Sequence, residues 1–168
     1  LVVDAFVVLA LLLAAVQFLP CFFAHGIESL YVSSWYILGG LVFTLLSYPM
    51  GNIVPEVVAG ASGAAFSGLW IHDAVGLFVT PMGWGMMYFF VPILLRKPIW
   101  SHALSIVGFW GLAFFYPLQG VHHFLGSPIP MFAQYGAVVS TIGVEIVVMT
   151  VVINFFMIVI LAPLAWVL

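Results

Sequence analysis

Five stretches of this sequence run for the length of a membrane-crossing helix with almost no charge, and nothing else constrains the fold as tightly. A hydrocarbon layer about 30 Å thick takes roughly 20 helical residues to cross. The stretches that qualify are Val2 to Phe23, Tyr31 to Met50, Gly68 to Leu95, Ala103 to Gly120, and Met131 to about Leu161. Each is apolar on all faces, where a barrel strand would be shorter and would alternate. The chain is therefore expected to be all-α, a polytopic transmembrane helix bundle forming a single transmembrane domain over residues 1–168. Composition agrees: charged residues make up 4% of the 168, against roughly 25% in a soluble domain.

The same poverty of charge removes other classes. Without a basic patch there is no nucleic-acid partner, and a lone Cys21 makes neither a disulfide scaffold nor a thiolate metal cluster. Asp4 and the missing basic flank argue against a cleavable signal at the N-terminal stretch. Turn chemistry separates the spans: His25-Gly26-Ile27-Glu28-Ser29, Gly51-Asn52 with Pro55 and Glu56, Arg96-Lys97-Pro98, and Gly126-Ser127-Pro128-Ile129-Pro130. His25, Glu28 and Glu56 are expected to be solvated loop residues. The two strong cations, Arg96 and Lys97, share one loop, which places it on the cytoplasmic side. Alternation then sets the loops at residues 51–67 and 121–130 on the outer side. The fifth stretch is too long for one upright span, so it tilts or its tail from Ala162 onward starts something else.

An ionisable or metal-binding side chain inside hydrocarbon is a functional candidate by default. The third and fourth helices run antiparallel about the Arg96-Lys97 loop, so positions symmetric about that loop share a depth. His72 is then level with Leu118 to His123, and three imidazoles, those of His72, His122 and His123, converge near the outer face. Such a set with an open position suits copper or zinc. Adjacent histidines on a regular helix diverge by roughly 100°, so both face one ion only if the backbone leaves the helix, and Gly120 is the expected exit.

Ser105 and His102 precede Tyr116 by separations that return to its helical face within about 20° and 40°. The stripe rises roughly 21 Å and looks like a proton path, with Tyr88 on the preceding helix feeding it from the cytoplasmic side. Ordinary readings compete: Tyr116 as an interfacial anchor, and Ser105 bonded back to its own helix. Glu145 lies near the middle of the fifth span and is expected to be protonated or paired, with Asn154 or Thr141 as neighbour.

Several pieces resemble a known family in order and spacing: Tyr-Val-Ser-Ser-Trp-Tyr at 31–36, His-Asp-Ala-Val-Gly at 72–76 with Thr80, and Gly-Met-Met-Tyr-Phe-Phe-Val-Pro at 85–92. Leu-Ser-Ile-Val at 104–107, Phe109-Trp110, Tyr116 and Gly-Val-His-His at 120–123 complete them. Together, from Tyr31 to Gln134, they are similar to subunit I of the C-family haem-copper oxygen reductases, the cbb-type cytochrome c oxidases, over roughly its fourth to eighth helices. The resemblance implies part of the catalytic subunit of a terminal respiratory oxidase that reduces dioxygen to water with proton uptake. It implies copper on His72, His122 and His123 facing a high-spin haem b, and a redox tyrosine, Tyr116, cross-linked to His72. Tyr88 and Ser105 would lie on the family's proton route.

The histidines that hold the family's high-spin and low-spin haems lie on other helices and have no counterpart here, so the remainder of subunit I or another chain is expected to supply them. Expected partners are also membrane lipid and subunits carrying c-type haem as electron donors, in the inner membrane of a bacterium. Gly108 stands where the family has histidine, and Asp73 where it has asparagine. Two alternatives stand beside the oxidase. A nitric oxide reductase of the same superfamily has a glutamate four residues after the helical histidine, a position held here by Gly76. A scaffold subunit without chemistry would be consistent with the missing haem ligands.

Overall fold

The computed structural model describes residues 1–24 and 30–164, with side chains through residue 160. His25 and Glu28 lie outside the described residues, as do the last four residues of the tail. In chain order the helices are α1 (Val2–Phe23), α2 (Val32–Asn52), the single turn α3 (Val54–Val57), α4 (Gly60–Asp73), α5 (Thr80–Leu95), α6 (His102–Gln119) and α7 (Met131–Leu164). A π-helical turn, Ala74–Val79, joins α4 to α5, and a 3-10 turn, Gly120–Phe124, extends α6. Among the described residues, 5 helical runs are long and apolar enough to cross a membrane: Val2–Phe23, Val32–Val57, Gly60–Leu95, His102–Phe124 and Met131–Ile160. The protein is an all-α, multi-pass membrane protein.

Local chemistry explains where the helices stop. Arg96 ends α5 in the left-handed region at φ 52°, the Lys97 amide donates to the Pro92 carbonyl, and Pro98 prevents continuation. Ser101 caps α6 by accepting the Leu104 amide at 3.1 Å. Gln134 ties the next loop to the first turn of α7. It accepts the Gly126 amide at 2.8 Å and donates to the carbonyls of Ser127 and Ile129, each at 3.2 Å.

The start of the third span differs from the sequence reading. The third span begins at Gly60, not Gly68, so the expected loop over residues 51–67 shrinks to a break around α3. The run Gly60-Ala61-Ser62-Gly63-Ala64-Ala65 has too little apolar bulk to read as a span. It is small because it packs closely: a Cβ on Gly63 would collide with the Val58 carbonyl, and one on Gly68 with the ring of Phe124. The fifth stretch is one helix of 34 residues, about 51 Å long, which crosses a bilayer only by tilting or overhanging.

Helix α2 is central, packing on α1, α4, α5 and α6, while α6 and α7 form the tightest pair. The stripe Gly40, Thr44, Ser47 and Gly51 brings α2 against its partner: Gly40 faces Pro81 and Met82, and Gly51 is overlaid by Trp70. The main core joins Val32 and Tyr36 of α2, Tyr88 of α5, Phe109 and Leu112 of α6, and Val147 and Val151 of α7. Tyr36 organises it, with its ring 5.5 Å from Tyr88 and edge-on to Phe109 at 5.3 Å. A smaller cluster of Val121, Ile129 and Ala137, flanked by Leu69 and Phe124, fastens the end of α6 to α4 and α7.

Candidate metal centre

His72 occupies the next-to-last position of α4, immediately before the π-helical turn. The end of α6 arrives beside it because Gly120 has no side chain: a Cβ there would lie 3.0 Å from both the His72 Cβ and the Leu69 Cα. The shared depth inferred from the antiparallel arrangement is thus realised as contact. The backbone does not uncoil at Gly120, however. It tightens into the 3-10 turn, which ends at Phe124, and the rings of His122 and His123 stand 4.5 Å apart at 88° to one another. A 3-10 turn still splays neighbours widely, so convergence comes from the nearly perpendicular rings.

Ligand atoms of His72, His122 and His123 all lie within 4.8 Å of one another. The closest pair, His72 Nδ1 and His123 Nε2, is 3.0 Å apart, the separation of two adjacent ligands on one ion at metal–nitrogen distances of about 2.0–2.1 Å. The donor set, three imidazoles and no carboxylate, suits copper or zinc, so the residues present fit copper among the metals imidazole binds. His72 Nε2 donates to Gln119 Oε1 at 3.2 Å, which leaves Nδ1 as the nitrogen facing the cluster. Haem is different: beyond this cluster the described residues hold one further histidine, the exposed His102, so they offer no pair of histidines for axial ligation of haem.

Tyr116 lies beside His72, the two rings near-parallel with centroids 4.8 Å apart. The space for it is made by Gly76 in the π-helical turn, where a Cβ would fall inside the tyrosine ring. Position 76 is therefore filled by an aromatic ring from α6, and no carboxylate is offered four residues after His72. π-Helical turns concentrate at functional sites, and sequence periodicity gave no sign of this one.

The route below is only partly assembled. Tyr88 and Ser105 are fully buried, but the Ser105 hydroxyl donates to the His102 carbonyl at 2.6 Å, inside its own helix. His102 itself is exposed. Tyr36, not singled out as a path residue from sequence, donates to the Ser105 carbonyl at 3.3 Å. At Gly108 a Cβ would stand 2.6 Å from Thr150 Oγ1 and 2.9 Å from the Tyr36 hydroxyl, so polar groups surround that glycine. Asn154 is buried completely and binds the Tyr88 hydroxyl at 3.4 Å and both backbone groups of Ser101, at 2.9 and 2.8 Å. From Ser105 to Tyr116 the rise is about 16 Å, and α6 offers only glycine, alanine, aliphatic and aromatic side chains between them. No side chain of α6 itself bridges that stretch.

Two acidic residues complete the inventory. Glu145 is exposed on the outward side of α7, and neither expected neighbour pairs with it: Asn154 serves Ser101 and Tyr88, and Thr141 serves His122. Asp73 is buried, and its Oδ1 has no hydrogen-bond partner among the described residues.

Comparison with known proteins points the same way. A family model described as Cytochrome C and Quinol oxidase polypeptide I matches residues 1–168. The chain is 34% identical over 138 residues to cytochrome c oxidase subunit 1 of Rhodobacter capsulatus, a match covering 76% of this chain and 26% of that protein. It is 37% identical over 113 residues to a cytochrome c oxidase subunit 1 homolog of Agrobacterium tumefaciens, covering 61% of this chain and 21% of the relative. With the Cbb3-type cytochrome c oxidase subunit CcoN1 of Stutzerimonas stutzeri it shares 30% identity over 149 residues, covering 83% and 31% of the two chains. The match spans less than a third of each of these relatives. With the family model matching the chain throughout, and three histidines and a tyrosine gathered where the third and fourth spans meet, this protein belongs to the cytochrome c and quinol oxidase polypeptide I family.

Proposed function

We propose that this chain forms the copper-holding part of the catalytic subunit of a cbb-type, C-family terminal oxidase, which reduces dioxygen to water and takes up protons for the reaction. The observation that carries the reading is the cluster itself: three imidazoles within 4.8 Å, with a tyrosine ring against one of them. His72, His122 and His123 would hold copper, which, beside a haem b whose ligands come from outside this chain, supplies electron transfer and a place for dioxygen to bind.

The chain's own residues do the rest. Tyr116 holds a proton and an electron within reach of the cluster, and its hydroxyl yields both to dioxygen; the link to His72 belongs to this proposal. Tyr88, Ser105 and Tyr36 bring protons toward it from the end of α5 near Arg96 and Lys97, which is the cytoplasmic side. Leu112, Phe109 and Val147 pack together in the core beside the intervening stretch. The working protein would sit in a bacterial inner membrane with the remainder of subunit I and c-type haem subunits as electron donors.

The test is an optical spectrum and elemental analysis of the purified complex. A high-spin b haem accompanied by copper supports the oxidase. Iron without copper would favour a nitric oxide reductase, which the Tyr116 ring over Gly76 already disfavours. Absence of haem would mean a scaffold.

A further inference from the structure

The depth of Glu145 follows from the register of α6 on α7, which three contacts fix. Phe115 lies on Gly143, Val147 on Gly111 and Thr150 on Gly108. By the same alignment Glu145 is level with Ala113, the midpoint of the span His102–Phe124, with about 16 Å of helix on either side. A carboxyl at that depth is costly unless something pairs with it. Glu145 points away from the bundle and is exposed, between Ile142 at 62% and Met149 at 52%. This chain has no strong cation to offer there. Its 2 strong cations, Arg96 and Lys97, lie between α5 and α6, beyond the ends of both helices, and the ion pair among the described residues joins the N-terminus to Asp4.

We propose that this face of α7 is a buried seam, against which a transmembrane helix from the remainder of subunit I packs with an arginine or lysine level with Glu145. The face is built for a helix. Val138, Ile142, Glu145, Met149, Val152 and Phe156 recur at alternating steps of four and three, the spacing of a helix-packing seam, and all six are exposed. Five of them are apolar and would suit lipid tails equally well, so the carboxylate discriminates. Lipid tails offer it no partner, whereas a cation on a neighbouring helix pairs with it away from water. One charged position in an apolar seam also sets register, because sliding by a turn carries the cation about 5.4 Å away. The match spans less than a third of each relative, so most of such a subunit lies outside this chain. The proposal rests on the chain being one part of that larger subunit and makes no use of the metal.

The test uses the whole purified complex, with photoreactive benzoylphenylalanine placed at position 149, one turn along the seam from Glu145. After illumination, mass spectrometry should find the adduct on a membrane-spanning peptide of the remainder of subunit I that contains arginine or lysine. Glu145→Leu then separates helix from lipid by sign. Against lipid it removes a costly carboxyl and leaves the thermal midpoint unchanged or higher; in a paired seam it strands a buried cation and lowers the midpoint by about 5 °C or more. Changing the cation found in the adduct to leucine as well should recover most of that loss. Adducts on lipid, on a second copy of α7 or on a peptide without a basic residue would overturn the proposal, as would a midpoint that does not fall. The copper-to-haem ratio of the parent keeps the two readings apart: the expected adduct without copper sinks the oxidase reading and leaves the seam, and copper with lipid adducts does the reverse.

Discussion

Gly76→Ala is the smallest change that interrogates the contact between Tyr116 and His72. The added methyl would fall within the Tyr116 ring, far inside the usual carbon contact distance of about 3.5–4.0 Å, so the ring must retreat by about 2 Å. Overpacking of this kind costs about 1–3 kcal/mol. Misplacing a reacting group by an ångström can lower turnover about 100-fold, so oxygen consumption should drop by at least that factor while copper and haem stay in place. Thermal unfolding measures the packing cost and an oxygen electrode the functional one. A double-mutant cycle isolates the contact: with Tyr116→Leu already present, Gly76→Ala should add almost no further cost in stability. Parental turnover in Gly76→Ala, or an undiminished packing cost in the Leu background, would refute the claim that the glycine exists to seat Tyr116.

Further expectations concern single side chains. Tyr116→Phe keeps the ring, so copper, haem and carbon monoxide binding should persist while oxygen reduction falls nearly to zero; near-parental turnover would make Tyr116 a packing residue. Asn154→Leu removes the clamp on Ser101 and Tyr88 and leaves buried partners unpaired, which should lower stability by about 1–3 kcal/mol. Thermal unfolding of the purified complex checks this, and an unchanged midpoint would mean that the start of α6 is held by its own cap alone.

How much the sequence discloses depends on whether a feature is set along the chain or between helices. Spans follow from apolar length, so α1, α2, α5, α6 and α7 were expected close to where they lie. The start of α4 was not, because Gly60 to Ala65 lacks the bulk that hydropathy counts. The meeting of His72 with His122 and His123 was legible from antiparallel depth. The local backbone there was not: the π-helical turn after Asp73 and the 3-10 turn at Gly120 each lie at a close contact between helices, Tyr116 on Gly76 and Gly120 on His72. Tyr36, Thr141, Gln119 and Asn154 act through partners on other helices, and whether two polar side chains face each other depends on helix rotation, which periodicity does not fix. Glu145 shows the same limit, since its depth was readable but its outward direction was not.

The central claim is that His72, His122 and His123 hold copper in a haem-containing complex. Its most direct test is the copper-to-haem ratio, by elemental analysis, of the parent complex and of His122→Ala. The His122 side chain belongs to neither apolar core cluster, so the variant should insert and keep its haem. The account predicts copper in fixed proportion to haem in the parent and its loss in the variant. A ratio unchanged by the substitution would contradict it.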